Sequence, residues 1–189
     1  MDLNDCVWSG PRCLKATPCL AMHYPEHEPL FHDTLRIGDC NIKTLVLEAQ
    51  HIIPSDSIDH IAQIFVALNK YLDISMTGTS MLPLIGCNIF PVVTRKSPSD
   101  FDFLCTAAET DLWFIADRIH LRESFESLVP LLAFDPIVID KIGLLIHELG
   151  LGKRMLSKAA KGVSKTEGRV DFHPGYTKLL QRKARCIAR

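Results

Sequence analysis

Residues 135–150 read Asp-Pro-Ile-Val-Ile-Asp-Lys-Ile-Gly-Leu-Leu-Ile-His-Glu-Leu-Gly, and the reading of the fold turns on them. Asp135 stands where an N-cap oxygen is wanted, and Pro136 occupies the first helical position, where its missing N–H costs nothing. Gly150 supplies a left-handed stop. Between them Val138, Ile139, Ile142, Leu145, Ile146 and Leu149 recur at intervals of mostly three and four, which predicts one helix with a wide apolar stripe that must be buried. Upstream, Leu112 to Ala116 is short, apolar and aromatic, the pattern of a fully buried strand. Asp117 is placed to cap a short helix running through Glu126, with Leu121 and Phe125 on its inner face. Val129 to Phe134 is a further strand candidate that Pro130 assigns to a sheet edge. The strand at 113–116 and the helix at 135–150 form the expected core.

Two more helices precede these elements. Ile42, Leu45, Val46, Ala49 and Ile52/Ile53 match one helical face, with Asp39 or Asn41 as cap and Pro54 as terminator. Ser55-Asp56-Ser57 then offers capping oxygens to Ile58, Ile61, Phe65, Leu68 and Leu72, so 39–73 is expected to be an antiparallel helical hairpin. Met81 to Val93 reads as an extended, buried run interrupted by Gly and Pro, and Lys96 to Asp102 as a polar turn. In residues 1–38, Pro11, Pro18, Pro25 and Pro29 forbid a long helix. A packed loop segment anchored by Trp8, Leu14, Leu20, Tyr24, Leu30 and Phe31 is expected there. No internal repeat is visible.

The chain has 189 residues, 47% of them apolar and 23% charged, a balance that favours folding over disorder. Its net charge of −1 hides an asymmetry. From Lys153 onward eleven Lys/Arg face two acids, a net of +9, while the first 152 residues hold ten basic and twenty acidic side chains, a net of −10. No run approaches the roughly 20 apolar residues of a membrane-spanning helix, and the acidic start lacks the order of a secretory signal. An intracellular location, cytoplasmic or nuclear, and no membrane association are therefore expected. The seven cysteines include no C-x-x-C pair and read as reduced, small apolar side chains.

Motifs for chemistry are sparse. Cys13, Cys19, His23, His27 and His32 have the residue types of a zinc site without the spacing of a common finger, so no metal is assigned. His147-Glu148 begins a zinc-protease helix motif, but Leu151 stands where its second histidine belongs. Gly150-Leu151-Gly152-Lys153 lacks the first glycine and the Ser/Thr of a phosphate-binding loop. Asp111, Asp117 and Glu123 are carboxylates for which capping or solvated roles suffice. The basic end carries the remaining signal: Lys153, Arg154, Lys158, Lys161, Lys178, Arg182, Lys183 and Arg185 are candidates for docking a nucleic acid or a partner.

Several phrases resemble a run in the large NO VEIN/sacsin-like proteins of fungi. They are Val7-Trp8-x-Gly10-Pro11-x-Cys13-Leu14, Tyr24-Pro25, Leu30-Phe31, Trp113-Phe114-Ile115-Ala116-Asp117-Arg118, Val129-Pro130-Leu131-Leu132 and Leu156-Ser157. Those proteins carry a histidine-kinase/Hsp90-type ATPase module, and the resembling run lies downstream of it. Neither the nucleotide-binding Asn-bearing helix nor the Asp-x-Gly-x-Gly loop of that module is present here. The resemblance therefore implies an ATPase-associated piece without ATP hydrolysis of its own.

The resulting expectation is a mainly helical α+β chain: a helical hairpin, a few short strands and a basic C-terminal tail. Residues 1–152 make one globular domain, divided into 1–38, 39–73 and 74–152, and 153–189 a basic linker and helix from about Tyr176. The expected function is a non-catalytic accessory or interaction domain, with no cofactor, whose partner is another protein or a domain of a longer parent chain. The alternative is nucleic-acid binding through the basic tail.

Overall fold

The computed structural model of the chain describes residues 6–74, 81–94, 101–109 and 113–160. Asn41 caps α1 (Ile42–Gln50), its Oδ1 accepting from the N–H of Lys43 at 2.9 Å and of Thr44 at 3.2 Å. Ser57 Oγ accepts from His60 N–H at the start of α2 (Ile58–Ile74). The apolar stripes read from the sequence face each other: Leu45 and Ala49 of α1 and Ile61, Ile64, Phe65 and Leu68 of α2 are fully buried in one core. The two helices pack as a pair, as their periodicity predicted.

Met81 to Val93 departs from the extended run expected of it. Leu82–Ile85 forms a short helix, α3, with Pro83 in its first turn, and Phe90–Val93 alone is strand β1. Proline is compatible with a first helical turn, where its absent donor is not missed, so the interruption at Pro83 opens a helix. β1 is the middle of a three-stranded antiparallel sheet of order β2-β1-β3, with β2 at Phe103–Cys105 and β3 at Leu131–Leu132. Phe90 lies opposite Cys105, and Val92 lies opposite both Phe103 and Leu132. Phe65 of α2 meets Phe90 and Phe134 edge-on at 5.4 and 5.2 Å, and Phe90 stacks on Trp113 at 5.2 Å. This aromatic chain joins the helical pair to the sheet.

Trp113, Ile115 and Ala116 are buried as expected, but the segment is not a strand of the sheet. It makes single parallel bridges, Phe114 to Leu131 and Ile115 to Met155, and so threads between β3 and the stretch after Gly152. Asp117 does not cap the next helix. Its Oδ1 accepts from Ser157 N–H at 3.1 Å, and α4 (Ile119–Phe125) starts after Arg118 without a side-chain cap. Arg122 instead fastens α4, donating to the carbonyls of Phe134 and Ala133.

The helix expected over 135–150 is two helices, α5 (Pro136–Lys141) and α6 (Gly143–Glu148). Its caps are as read: Asp135 accepts from Ile137 N–H at 2.9 Å and Gly150 has φ 69°. The break at Ile142 has a tertiary cause. Leu145 N–H, which a continuous helix would direct to the Lys141 carbonyl, donates to Asn69 Oδ1 of α2 at 3.0 Å, and Gly143 does little to hold the helix together across that point. Packing continues past Gly152, through a 3₁₀ turn at Leu151–Arg154 and α7 (Leu156–Ala159), where Leu156 is buried.

The N-terminal segment is a succession of short turns, as its prolines require: 3₁₀ turns at Leu20–Met22 and Pro25–His27 and a π-helical turn at Pro29–Thr34. Cys6, Trp8, Leu20 and Ile37 form a small core of their own, and Trp8 stacks on Phe31 at 6.0 Å. Gly10 allows the segment to close on itself, since a Cβ there would fall 2.8 Å from Cys40 Cβ. Tyr24 and Leu30, expected as anchors, are exposed instead. Beyond the π-helical turn and its C-cap Leu35, Arg36 is held at φ 56°, a left-handed conformation that disfavours any side chain with a Cβ. Arg36→Gly is expected to raise stability by about 0.5–1 kcal/mol, measurable as an increase in thermal midpoint; a lower midpoint would refute it.

Candidate functional site

Glu48 lies on the inner face of α1, between Leu45 and Ile52, and is 3% exposed. Its carboxylate accepts from the N–H of Lys15 at 2.6 Å, of Ala16 at 3.0 and 3.1 Å and of Thr17 at 3.2 Å. Three successive backbone donors aimed at one anion make a compact nest, and here the anion belongs to the chain itself. Lys15 Nζ in turn pairs with Asp56 at 2.6 Å. The N-terminal segment is thus clamped to the helical pair by one buried and one half-buried carboxylate.

Two recesses flank the clamped turn. The larger, about 490 Å³, is bordered by Val7, Asp39, Asn41, Thr44 and Leu47; the smaller, about 250 Å³, by Lys15, Asp56 and His60. Burial raises the Asp56 carboxyl, but hydrogen bonds from Ile53 N–H and Lys15 more than offset it and hold it below its ordinary value. Burial and the Lys15 charge depress His60. Among the described residues no serine, threonine or cysteine lines the smaller recess, and its Lys15 and Asp56 are engaged with each other.

Two of the thiols, Cys40 and Cys105, are unsuited to nucleophilic work. Burial pushes Cys40 up to about 11, helped by Cys13, and pushes Cys105 up to about 11, helped by Glu109. A thiol so raised carries almost no thiolate at neutral pH. Cys13 and Cys19 are buried, whereas His23, His27 and His32 lie on the outer side of the N-terminal turns. Among the described residues no group of three or more His, Cys, Asp or Glu side chains converges as metal ligands do.

The docking candidates divide. Lys153 and Lys158 are exposed, but Arg154 is 9% exposed and belongs to the core. Its Nη2 donates to the carbonyls of Ala107 at 2.8 Å and Glu109 at 2.6 Å, and its guanidinium lies 4.3 Å over the Trp113 ring. It is a structural cation and is corrected from the docking set. Lys161, Lys178, Arg182, Lys183 and Arg185 lie outside the described residues. Asp111 does so as well, and Glu123 is solvated on α4.

What the sequence reading passed over is the outer side of residues 22–35. Met22, Tyr24, Leu30 and Leu35 are exposed by 62, 49, 46 and 43%. Tyr24 contacts Phe31 at 5.6 Å and His27 at 6.3 Å, and Leu35 N–H bonds to the Leu30 carbonyl, so these side chains ride on adjoining turns. Glu26, Glu28 and Asp33 are interspersed, and no Lys or Arg occurs from Ala16 to Leu35. The signal available in the sequence was an apolar set larger than so short a segment can bury. Glu48 left a signal too, as the one acid on the apolar side of α1.

No helix among the described residues is long and apolar enough to cross a membrane. No curated protein and no solved structure matches the chain. Residues 43–160, more than half of it and spanning nearly all of α1 through the whole of α7, match the family described as a domain of unknown function (DUF8348), and the chain belongs to that family.

Proposed function

We propose that this protein is a non-catalytic interaction domain that engages a protein partner through the outer side of residues 22–35. One observation carries the reading: four large apolar side chains are exposed on consecutive turns that already possess a core beneath them. Scattered apolar residues are ordinary on a surface, but a group of this kind on neighbouring turns is characteristic of contact sites. The π-helical turn and the left-handed Arg36 support it, because rare backbone states persist where they serve a site. The phrases that resemble a run in NO VEIN/sacsin-like proteins fit the same role, with the partner being another part of an ATPase-containing assembly. The surface lies outside the residues that the family match covers, and the Glu48 that clamps its segment lies within them.

The test is the size of the native complex. The wild-type chain is expected to elute from cell extract well above its own 21.2 kDa, and the Leu30→Ser/Leu35→Ser variant at that mass. Both substitutions are exposed and should leave stability within about 0.5 kcal/mol. Identical elution of the two proteins would defeat the proposal, as would binding of ATP by the chain alone at micromolar concentration. Nucleic-acid binding through the tail is the competing reading; it predicts an affinity that falls steeply with salt and that Leu30→Ser/Leu35→Ser leaves untouched.

A further inference from the structure

A separate recess of about 520 Å³ lies between the N-terminal segment, α2 and α5, within the range of small-ligand sites. Its floor is one face of α2, where Asp59, Ala62, Val66, Ala67 and Lys70 follow one another at helical spacing over about 16 Å. Val138 of α5 and Cys13 of the segment close its sides. Ala62, Val66 and Ala67 give the middle of the floor small apolar side chains on which an apolar chain can lie flat, with Gln63 beside them as a polar group.

Charge is distributed unevenly along this recess. Asp59 stands at one end of the α2 strip and Lys70 at the other. Lys141 belongs to the Lys70 end, because the bond from Leu145 N–H to Asn69 fixes the α5–α6 junction beside it. Arg12 lines the recess as well, from the N-terminal segment. None of the three cations has a carboxylate partner among the described residues. Three like charges lining one recess repel one another, and an anionic head would relieve that repulsion.

We propose that this recess binds a monomeric amphiphilic anion, with its carboxylate or phosphate head held by Arg12, Lys70 and Lys141 and its apolar chain laid along Ala62, Val66 and Val138. The site accommodates one chain along one helix, which selects a free amphiphile over a bilayer surface.

Calorimetric titration of the full chain tests this with dodecanoate and dodecyl phosphate below their micelle concentrations. Dodecyltrimethylammonium serves as the charge control and phosphatidylserine vesicles as the membrane control. Both anions are expected to bind at a single site and more tightly than the cationic amphiphile. Lys70→Glu/Lys141→Glu should weaken the anions by about tenfold or more, the loss of two charge-assisted contacts, and improve the cationic amphiphile. Ala62→Trp should block both by filling the floor, and the charge variant, altered only at exposed positions, guards against a folding defect in it. Absence of anion binding, equal binding of anion and cation, indifference to the charge variant, or binding to vesicles alone would each overturn the assignment.

Discussion

Glu48→Ala is expected to destabilise the protein by about 3–4 kcal/mol and to lower the thermal midpoint by about 6–16 °C, given ~2–4 °C per kcal/mol for a chain of this size. The carboxylate accepts from three consecutive N–H groups and is almost wholly enclosed. Without it the Lys15–Thr17 turn retains three donors pointing into a space lined by α1, and each must find water or stay unpaired. Charge-assisted bonds contribute about 1.5–3 kcal/mol apiece in isolation, but the flanking recesses admit water, so the sum is smaller than three such terms. Glu48→Gln should cost about half as much, since an amide keeps one acceptor while bringing two donors toward a nest of donors. The loss should also be local. Trypsin is expected to cut after Lys15 faster than in wild type, because that bond is released when the N-terminal segment lifts from α1. An unchanged midpoint with Lys15 still protected would show that the apolar contacts alone hold the segment.

The second large effect concerns Arg154. Arg154→Met is expected to cost about 3 kcal/mol, seen as a fall of about 6–12 °C in midpoint. The substitution leaves the carbonyls of Ala107 and Glu109 without their donor and removes the cation from the Trp113 face. The relief of taking a desolvated charge out of the interior offsets part of this, which is why the figure is lower than the sum of contacts. Arg154→Lys should recover little, because an ammonium offers neither the planar fork nor the stacking surface. Lys153→Ala and Lys158→Ala, at exposed positions, should stay within about 0.5 kcal/mol of wild type. A thermal scan of the four variants separates a structural arginine from its solvated neighbours; equal, small effects at 153, 154 and 158 would return Arg154 to the docking set.

The sequence alone determined the features that depend on near neighbours in the chain. Asp135 and Gly150 were legible as caps, and Asn41 as one of two candidates beside Asp39, because a cap is an interaction over two or three residues. The facing stripes of α1 and α2 were legible because burial imposes a period, and the prolines of the first 38 residues were legible as an exclusion of long helix. Those signals sufficed for a mainly helical α+β fold with a helical pair. They also isolated 113–116 as core, since a short apolar and aromatic run has nowhere else to go.

Tertiary structure decided what depends on a partner far away in sequence. Asn69 takes the N–H of Leu145, 76 residues on, and the expected helix becomes two. Asp117 serves Ser157, 40 residues on, and leaves α4 uncapped. A single carboxylate at 48 collects three backbone donors from 15–17, and a guanidinium at 154 is drawn over the ring at 113. In each case a polar side chain had an ordinary local or solvated reading of low cost, and a distant backbone group supplied a better one once packing removed water. Composition marked residues 153–189 as basic, but charge counted along a chain says nothing of which cation is enclosed. That follows from the space the folded core leaves for it.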